Sequence, residues 1–124
     1  MYDKSLIIET LEQIEQVIEN LLESTANVFD MNELLKTADG TLRLQGICMS
    51  FIIIGEEVKR IDRYTEKQLL KNYQSTPWES IMGMRNRIAH GYFEIDVDVI
   101  FDTLKNDIPP LLETVKQIKN DLNK

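Results

Sequence analysis

The chain has 124 residues, 43% of them hydrophobic, 28% charged and 7% aromatic, the makeup of one soluble domain spanning residues 1–124. A single cysteine, Cys48, and a single histidine, His90, exclude a disulfide framework and a Cys/His metal cluster. The longest apolar stretch, Ile47 to Ile54, falls far short of the ~20 residues that span a bilayer. The first 23 residues set one lysine against five glutamates and an aspartate, the opposite of a secretory leader, so the expected location is the cytoplasm.

Helix is the expectation throughout. Ile7, Leu11, Ile14, Ile18 and Leu21 recur at spacings of 4, 3, 4 and 3, the apolar stripe of an amphipathic helix whose other faces carry glutamates. Turn and capping residues from Ser24 to Asn32 interrupt it, and Met31 to Lys36 is a short helix or the lead-in to the next one. A second long helix is expected after Asp39-Gly40, with Leu44, Ile47, Phe51, Ile54, Val58 and Ile61 on its buried side. Its middle, Gly46 to Gly55, is apolar nearly all round, which predicts neighbours on several sides. The β-branched isoleucines there do not alternate with period two, so a strand is excluded. Residues 62–76 are polar and basic and read as a short helix inside a connection. Thr76-Pro77-Trp78 reads as a cap, a proline at the first helical position and an anchor for a helix through Ile81, Met82, Arg85, Ile88 and Ala89, ending near Gly91. A last segment starts at Asp96 and is kinked or restarted at Pro109-Pro110, with Leu104, Ile108, Leu111, Leu112, Val115, Ile118 and Leu122 on its apolar face. The fold class is all-α, an antiparallel bundle of four to five helices.

The net charge of −7 argues against a nucleic-acid partner until its distribution is considered. Lys59, Arg60, Arg63, Lys67, Lys71, Arg85 and Arg87 face only three acids between residues 59 and 87. That positive block runs straight into His90. On charge alone the plain reading of this block is a solvated face.

Phosphate loops, His-Glu-x-x-His, Cys-x-x-Cys and nucleophile elbows are all absent. What remains is Met84-Arg85-Asn86-Arg87-Ile88-Ala89-His90-Gly91-Tyr92, which gathers two guanidiniums, an amide, an imidazole and a phenol. The plain reading of His90 is a side chain bonded to a carbonyl near a helix C-terminus, where the dipole favours a cation. On an ideal helix Asn86 and His90 share a face, but Arg85 and His90 are about 140° apart. The length of Arg85, loosening of the helix at Gly91, or a second copy of the protein could bring them together.

Arg85-x4-His90-x-Tyr92 resembles the Arg-x4-His-x-Tyr motif of the HEPN superfamily, and in particular the HepT-like ribonuclease toxins that pair with MntA-like nucleotidyltransferase antitoxins. The likeness extends to Ile53-Ile54-Gly55-Glu56, Pro77-Trp78-x-x-Ile81-x-Gly83-Met84-Arg85-Asn86, Tyr92-Phe93-Glu94-Ile95-Asp96 and Asp107-Ile108-Pro109, in order, over roughly residues 5–120. Glu57 departs from it, standing where the family commonly has a small residue. The resemblance implies a bundle of HEPN type, a homodimer with two motifs facing across the interface, and a metal-independent endoribonuclease serving as the toxin of a type VII HEPN/MNT toxin-antitoxin system. No cofactor and no metal is implied.

Such chemistry needs a base for the ribose 2′-hydroxyl, a cation for the phosphorane and a proton for the departing oxygen. Carried onto this sequence, His90 is the acid/base group, since an unperturbed imidazole titrates at about 6.5. Arg85 is the bidentate phosphate clamp, and Asn86 is an orienting partner. Arg87 is an RNA-backbone contact or else a surface salt bridge. Tyr92 resembles the tyrosine that MntA-like antitoxins adenylylate (AMPylation); its plain reading is a buried ring with a satisfied hydroxyl. The partners implied are RNA, the cognate antitoxin and a second copy, with no membrane.

The remaining conspicuous residues have structural readings. Trp78 anchors the start of its helix, Met82 and Met84 pack the core or the dimer seam, and Cys48 is a small hydrophobe rather than a nucleophile. Glu56 is a solvated acid or pairs with Arg85 or Arg87. Two other functions fit the same bundle: a non-catalytic subunit that binds substrate or partner for a nucleotidyltransferase, and a plain dimerisation module with an idle motif.

Overall fold

In the computed structural model, which describes residues 2–124, four long helices carry the fold: α1 (Lys4–Ser24), α3 (Ala38–Tyr64), α4 (Trp78–Gly91) and α6 (Ile108–Leu122). Two short ones, α2 (Met31–Leu34) and α5 (Val97–Asp102), pack on each other at one end. α3 lies between α1 and α4, and α6 covers the other side of α1. No strand occurs among the described residues, and no described helix is long and apolar enough to cross a membrane.

The expected stripes form the core. Ile7, Leu11, Ile14, Ile18 and Leu21 of α1 and Leu44, Ile47, Phe51, Ile54, Val58 and Ile61 of α3 are all buried, each such side chain contributing roughly 1.5–3 kcal/mol. Leu104, Ile108, Leu111, Val115 and Ile118 close it from the α6 side, with Leu112 and Leu122 at its edge. Cys48 sits inside, and burial pushes its thiol up to about 11.

Several boundaries differ from expectation, each for a local reason. α3 starts before Asp39-Gly40, because the Thr37 side chain caps the helix by accepting from the Gly40 N–H at 2.9 Å. Gly40 then lies in the first turn, where a Cβ would collide with the Leu34 carbonyl. Thr76 does not cap α4. Its hydroxyl instead pairs with Thr114 Oγ1 on α6 at 3.0 Å, and Pro77 precedes a helix that has no side-chain cap. α3 runs on through Tyr64, and the rest of the expected 62–76 connection holds only a 3₁₀ turn, Leu70–Asn72. α3 ends on two consecutive left-handed residues, Glu66 and Lys67 (φ 52° and 63°). Asp96 caps α5, and the double proline restarts the chain. Pro109 and Pro110 cannot donate backwards, so Ile108 N–H reaches Thr103 O across a π-helical turn, Thr103–Asp107.

The middle of α3 is not enclosed on all sides. Leu42, Met49 and Ile53 are 66%, 54% and 38% exposed, so one stripe of the apolar segment faces outward. Gly46, on the same stripe, has open space where its Cβ would stand.

Candidate active site on the outer face of α4

The site is positioned by a close approach. Gly55 of α3 packs directly on the α4 backbone, with Ile81 O only 2.8 Å from where a Cβ would be and Arg85 N at 3.6 Å. Ile81, Met84 and Ile88 point inward and are buried, which turns the intervening polar residues outward. Trp78 fixes the other end of α4: its Nε1–H donates to Tyr73 O at 2.9 Å, consistent with an anchor.

Arg85 lies on the α3 side. Its Nε is 3.7 Å from Glu56 Oε1, both side chains being about half exposed (44% and 48%), and its Nη1 donates to Asn86 Oδ1 at 3.2 Å. A pair in that setting is worth at most about 1 kcal/mol and leaves the guanidinium open to a stronger anion. Glu57, one residue on, is 3.7 Å from Arg60 instead. His90 is exposed in the last turn of α4 and makes no hydrogen bond among the described residues, so it is not tied to a carbonyl. Asn86 is exposed on the same helical face. Arg87 forms no salt bridge among the described residues; its Nη2 donates to Ser80 O at 3.0 Å, folding the side chain back along α4.

α4 stays helical through Gly91, so loosening does not close the gap between Arg85 and His90. One molecule brings together Glu56, Arg85 and Asn86, while His90 points about 140° away from Arg85.

Tyr92 opens a 3₁₀ turn, Tyr92–Glu94, and packs half-buried against the core. It lines a cavity of about 220 Å³ with Leu44, Gln45 and Cys48. Burial and the neighbouring Cys48 thiol raise its pKa, opposed in part by the nearby Gln45 amide. Phe93, edge-on to Tyr92 at 5.3 Å, is 98% exposed. That ring and the open stripe on α3 escaped the sequence reading. The stripe's signal was the spacing of Leu42, Met49 and Ile53 by 7 and 4, hidden within a longer apolar run. No group of three acidic, histidine or cysteine side chains among the described residues could hold a metal.

The family model described as ribonuclease HepT-like matches residues 7–118. The chain belongs to the HepT-like ribonuclease family. The "Probable ribonuclease HepT" of Thermococcus cleftensis is 32% identical over 103 residues, covering 82% of this chain and 84% of that protein. The "Putative RNase MJ1380" of Methanocaldococcus jannaschii is 26% identical over 113 residues, covering 91% and 93%. The "Putative RNase TTE0752" of Caldanaerobacter subterraneus is 36% identical over 69 residues, and the match covers 56% of this chain and 58% of that protein. No solved structure matches the chain. As a HepT-like protein it is an all-α endoribonuclease of the HEPN superfamily.

Proposed function

We propose that this HepT-like endoribonuclease is the toxin of a HEPN/MNT toxin-antitoxin pair and cleaves RNA without a metal, through attack of the ribose 2′-hydroxyl on the adjacent phosphate. His90 acts as the acid/base group, Arg85 clamps the phosphate, Asn86 orients Arg85, and Arg87 contacts the RNA backbone. The leaving 5′-oxygen takes a proton, and a 2′,3′-cyclic phosphate remains. His90 suits this role because it is solvent-facing and free of internal bonds, whereas Arg85 holds only a weak carboxylate partner that a phosphate can displace.

The working unit is a homodimer. One observation carries this reading: Arg85 and His90 diverge on a regular helix, while the apolar stripe Leu42, Met49 and Ile53 lies open on α3 and leads to Glu56 beside Arg85. Covering that stripe with a second copy would set the two motifs face to face. A mixing experiment tests it. Purified protein should cleave RNA in excess EDTA, while Arg85→Ala and His90→Ala should each be inactive. If each site takes its arginine and histidine from different copies, mixing the two variants restores about a quarter of the activity, since half the dimers then hold one intact site. A mixture as dead as its parents, or a monomer by light scattering, counts against the composite site.

Control falls on Tyr92. A cognate MntA-like nucleotidyltransferase adenylylates its hydroxyl, approached through the cavity it shares with Gln45. The added phosphodiester charge then repels RNA from Arg85 and His90. Peptide mass spectrometry after incubation with antitoxin and ATP should find the adduct on Tyr92. Unchanged labelling and neutralisation of Tyr92→Phe would refute this.

A further inference from the structure

On the side of α4 away from Arg85, a cavity of about 370 Å³ opens between α4 and α5. Its floor is Phe51, Met84, Ile88 and Ile100, none more than 5% exposed, and Val99, 57% exposed, stands at its rim. Such an apolar chamber with few polar groups has the character of a small-molecule site. Its polar groups include two carboxylates, Glu94 and Asp96. Asp96 Oδ1 already accepts from the Asp98 N–H at 2.9 Å, leaving Oδ2 unengaged. Glu94 makes no hydrogen bond or ion pair among the described residues, and its Oε2 lies 3.9 Å from where a Cβ on Gly91 would stand.

The cavity adjoins the proposed reaction centre. Gly91, which follows His90 directly, lines it, and so does Arg87. By helical geometry Arg87 projects between His90 and the cavity, about 60° from His90. A phosphate held at His90 therefore has the cavity within one nucleotide's reach.

Charge decides which part of a nucleotide enters. Arg87 also lines the cavity, but its guanidinium is drawn back to Ser80 O, so the two carboxylates at the mouth set the charge there: the occupant must not be anionic, must be flat enough for apolar walls, and must be edged with N–H groups. A nucleobase carrying an exocyclic amine meets all three conditions: its faces suit the floor, and its amine donates to Glu94 or Asp96. Uracil has no exocyclic amine and offers only its N3–H, flanked by two carbonyl oxygens that meet the carboxylates lone pair to lone pair.

Building on the ribonuclease reading, we propose that this cavity is a base-recognition subsite. It takes adenine, cytosine or guanine, in preference to uracil, from the nucleotide beside the scissile phosphate. The enzyme then selects cleavage positions by base identity through Glu94 and Asp96, while Arg85 and His90 remain indifferent to sequence.

Two measurements test it. Short RNAs that differ only in the base flanking a single cleavable bond should show kcat/KM at least roughly tenfold lower for uridine than for the favoured amine-bearing base. The double variant Glu94→Gln, Asp96→Asn replaces acceptor-only groups with amides that can donate to a carbonyl, and should erase or invert that ratio. Asp96→Asn keeps a competent cap for α5. Independently of activity, titration with the four nucleoside monophosphates should shift the methyl NMR signals of Ile88, Val99 and Ile100 for AMP, CMP or GMP more than for UMP, and Val99→Trp should abolish the shifts. Equal cleavage beside all four bases, or methyl signals that no nucleotide moves, would overturn the subsite while leaving the ribonuclease reading intact. Absence of His90-dependent cleavage of any RNA would instead overturn that reading.

Discussion

The two ends of α4 use polar residues in opposite ways. At the N-terminal end three polar groups are committed inward: Trp78 Nε1 donates to Tyr73 O, the Tyr73 hydroxyl donates to Asp121 Oδ2 at 2.6 Å, and Thr76 pairs with Thr114. At the C-terminal end His90 is unbonded, Arg85 holds Glu56 loosely, and Phe93 lies on the surface. The first end ties α4 to α6 and sets where the helix lies. The second is left free for groups the protein does not itself supply. Stability and activity should therefore respond separately to substitutions at the two ends.

The largest separation is expected at His90. His90→Ala should lower RNA cleavage by about 10²–10⁴-fold, the usual worth of a general acid/base group, with the melting temperature unchanged because the side chain is exposed and unbonded. A variant that melts much earlier would show His90 to be structural. Gly55 joins the two properties. Gly55→Val should cost about 1–3 kcal/mol by pushing α4 off α3, and should lower activity as well, since it displaces Arg85. Thermal unfolding and cleavage rates measured together would check this; a stable, fully active variant would show that the close approach does not position the site.

At the other end Tyr73→Phe should cost about 1 kcal/mol, the worth of its hydrogen bond to Asp121, and leave the cleavage rate alone. The smallest effect concerns alkaline pH. Burial and Asp121 push Tyr73 up to about 12, and burial pushes Cys48 up to about 11. Both groups hold their protons more tightly when folded. Their contribution is thus complete below about pH 9 and lost as the pH rises through 11 and 12. Denaturant titrations across pH 8–12 should find the loss shallower in a Cys48→Ala, Tyr73→Phe double variant than in the native chain.

The sequence revealed most of the fold because the α1, α3 and α6 stripes are long, regular and mostly buried, so period 3.6 dominates them. Boundaries were less legible where tertiary contacts override local chemistry. Thr76 has the sequence of a cap, yet its hydroxyl finds Thr114, thirty-eight residues away. The outward stripe Leu42, Met49, Ile53 was masked because composition alone cannot distinguish apolar residues that face a core from those that face an open surface. Arg85, Asn86, His90 and Tyr92 were legible as one motif on one segment. The cavity beside them was not, since its walls come from α3, α4 and α5 and only folding brings Phe51, Ile88 and Ile100 together.

The claim on which this account rests is that the substrate's own 2′-hydroxyl attacks the phosphate under the control of Arg85 and His90. An RNA carrying a single 2′-deoxynucleotide immediately 5′ of a mapped cleavage bond tests it most directly, with product ends identified by mass spectrometry. The account predicts that this one bond survives while other sites in the same RNA are cut as before, each leaving a 2′,3′-cyclic phosphate. Cleavage at the 2′-deoxy position, or products ending in a 3′-hydroxyl and a 5′-phosphate, would contradict it.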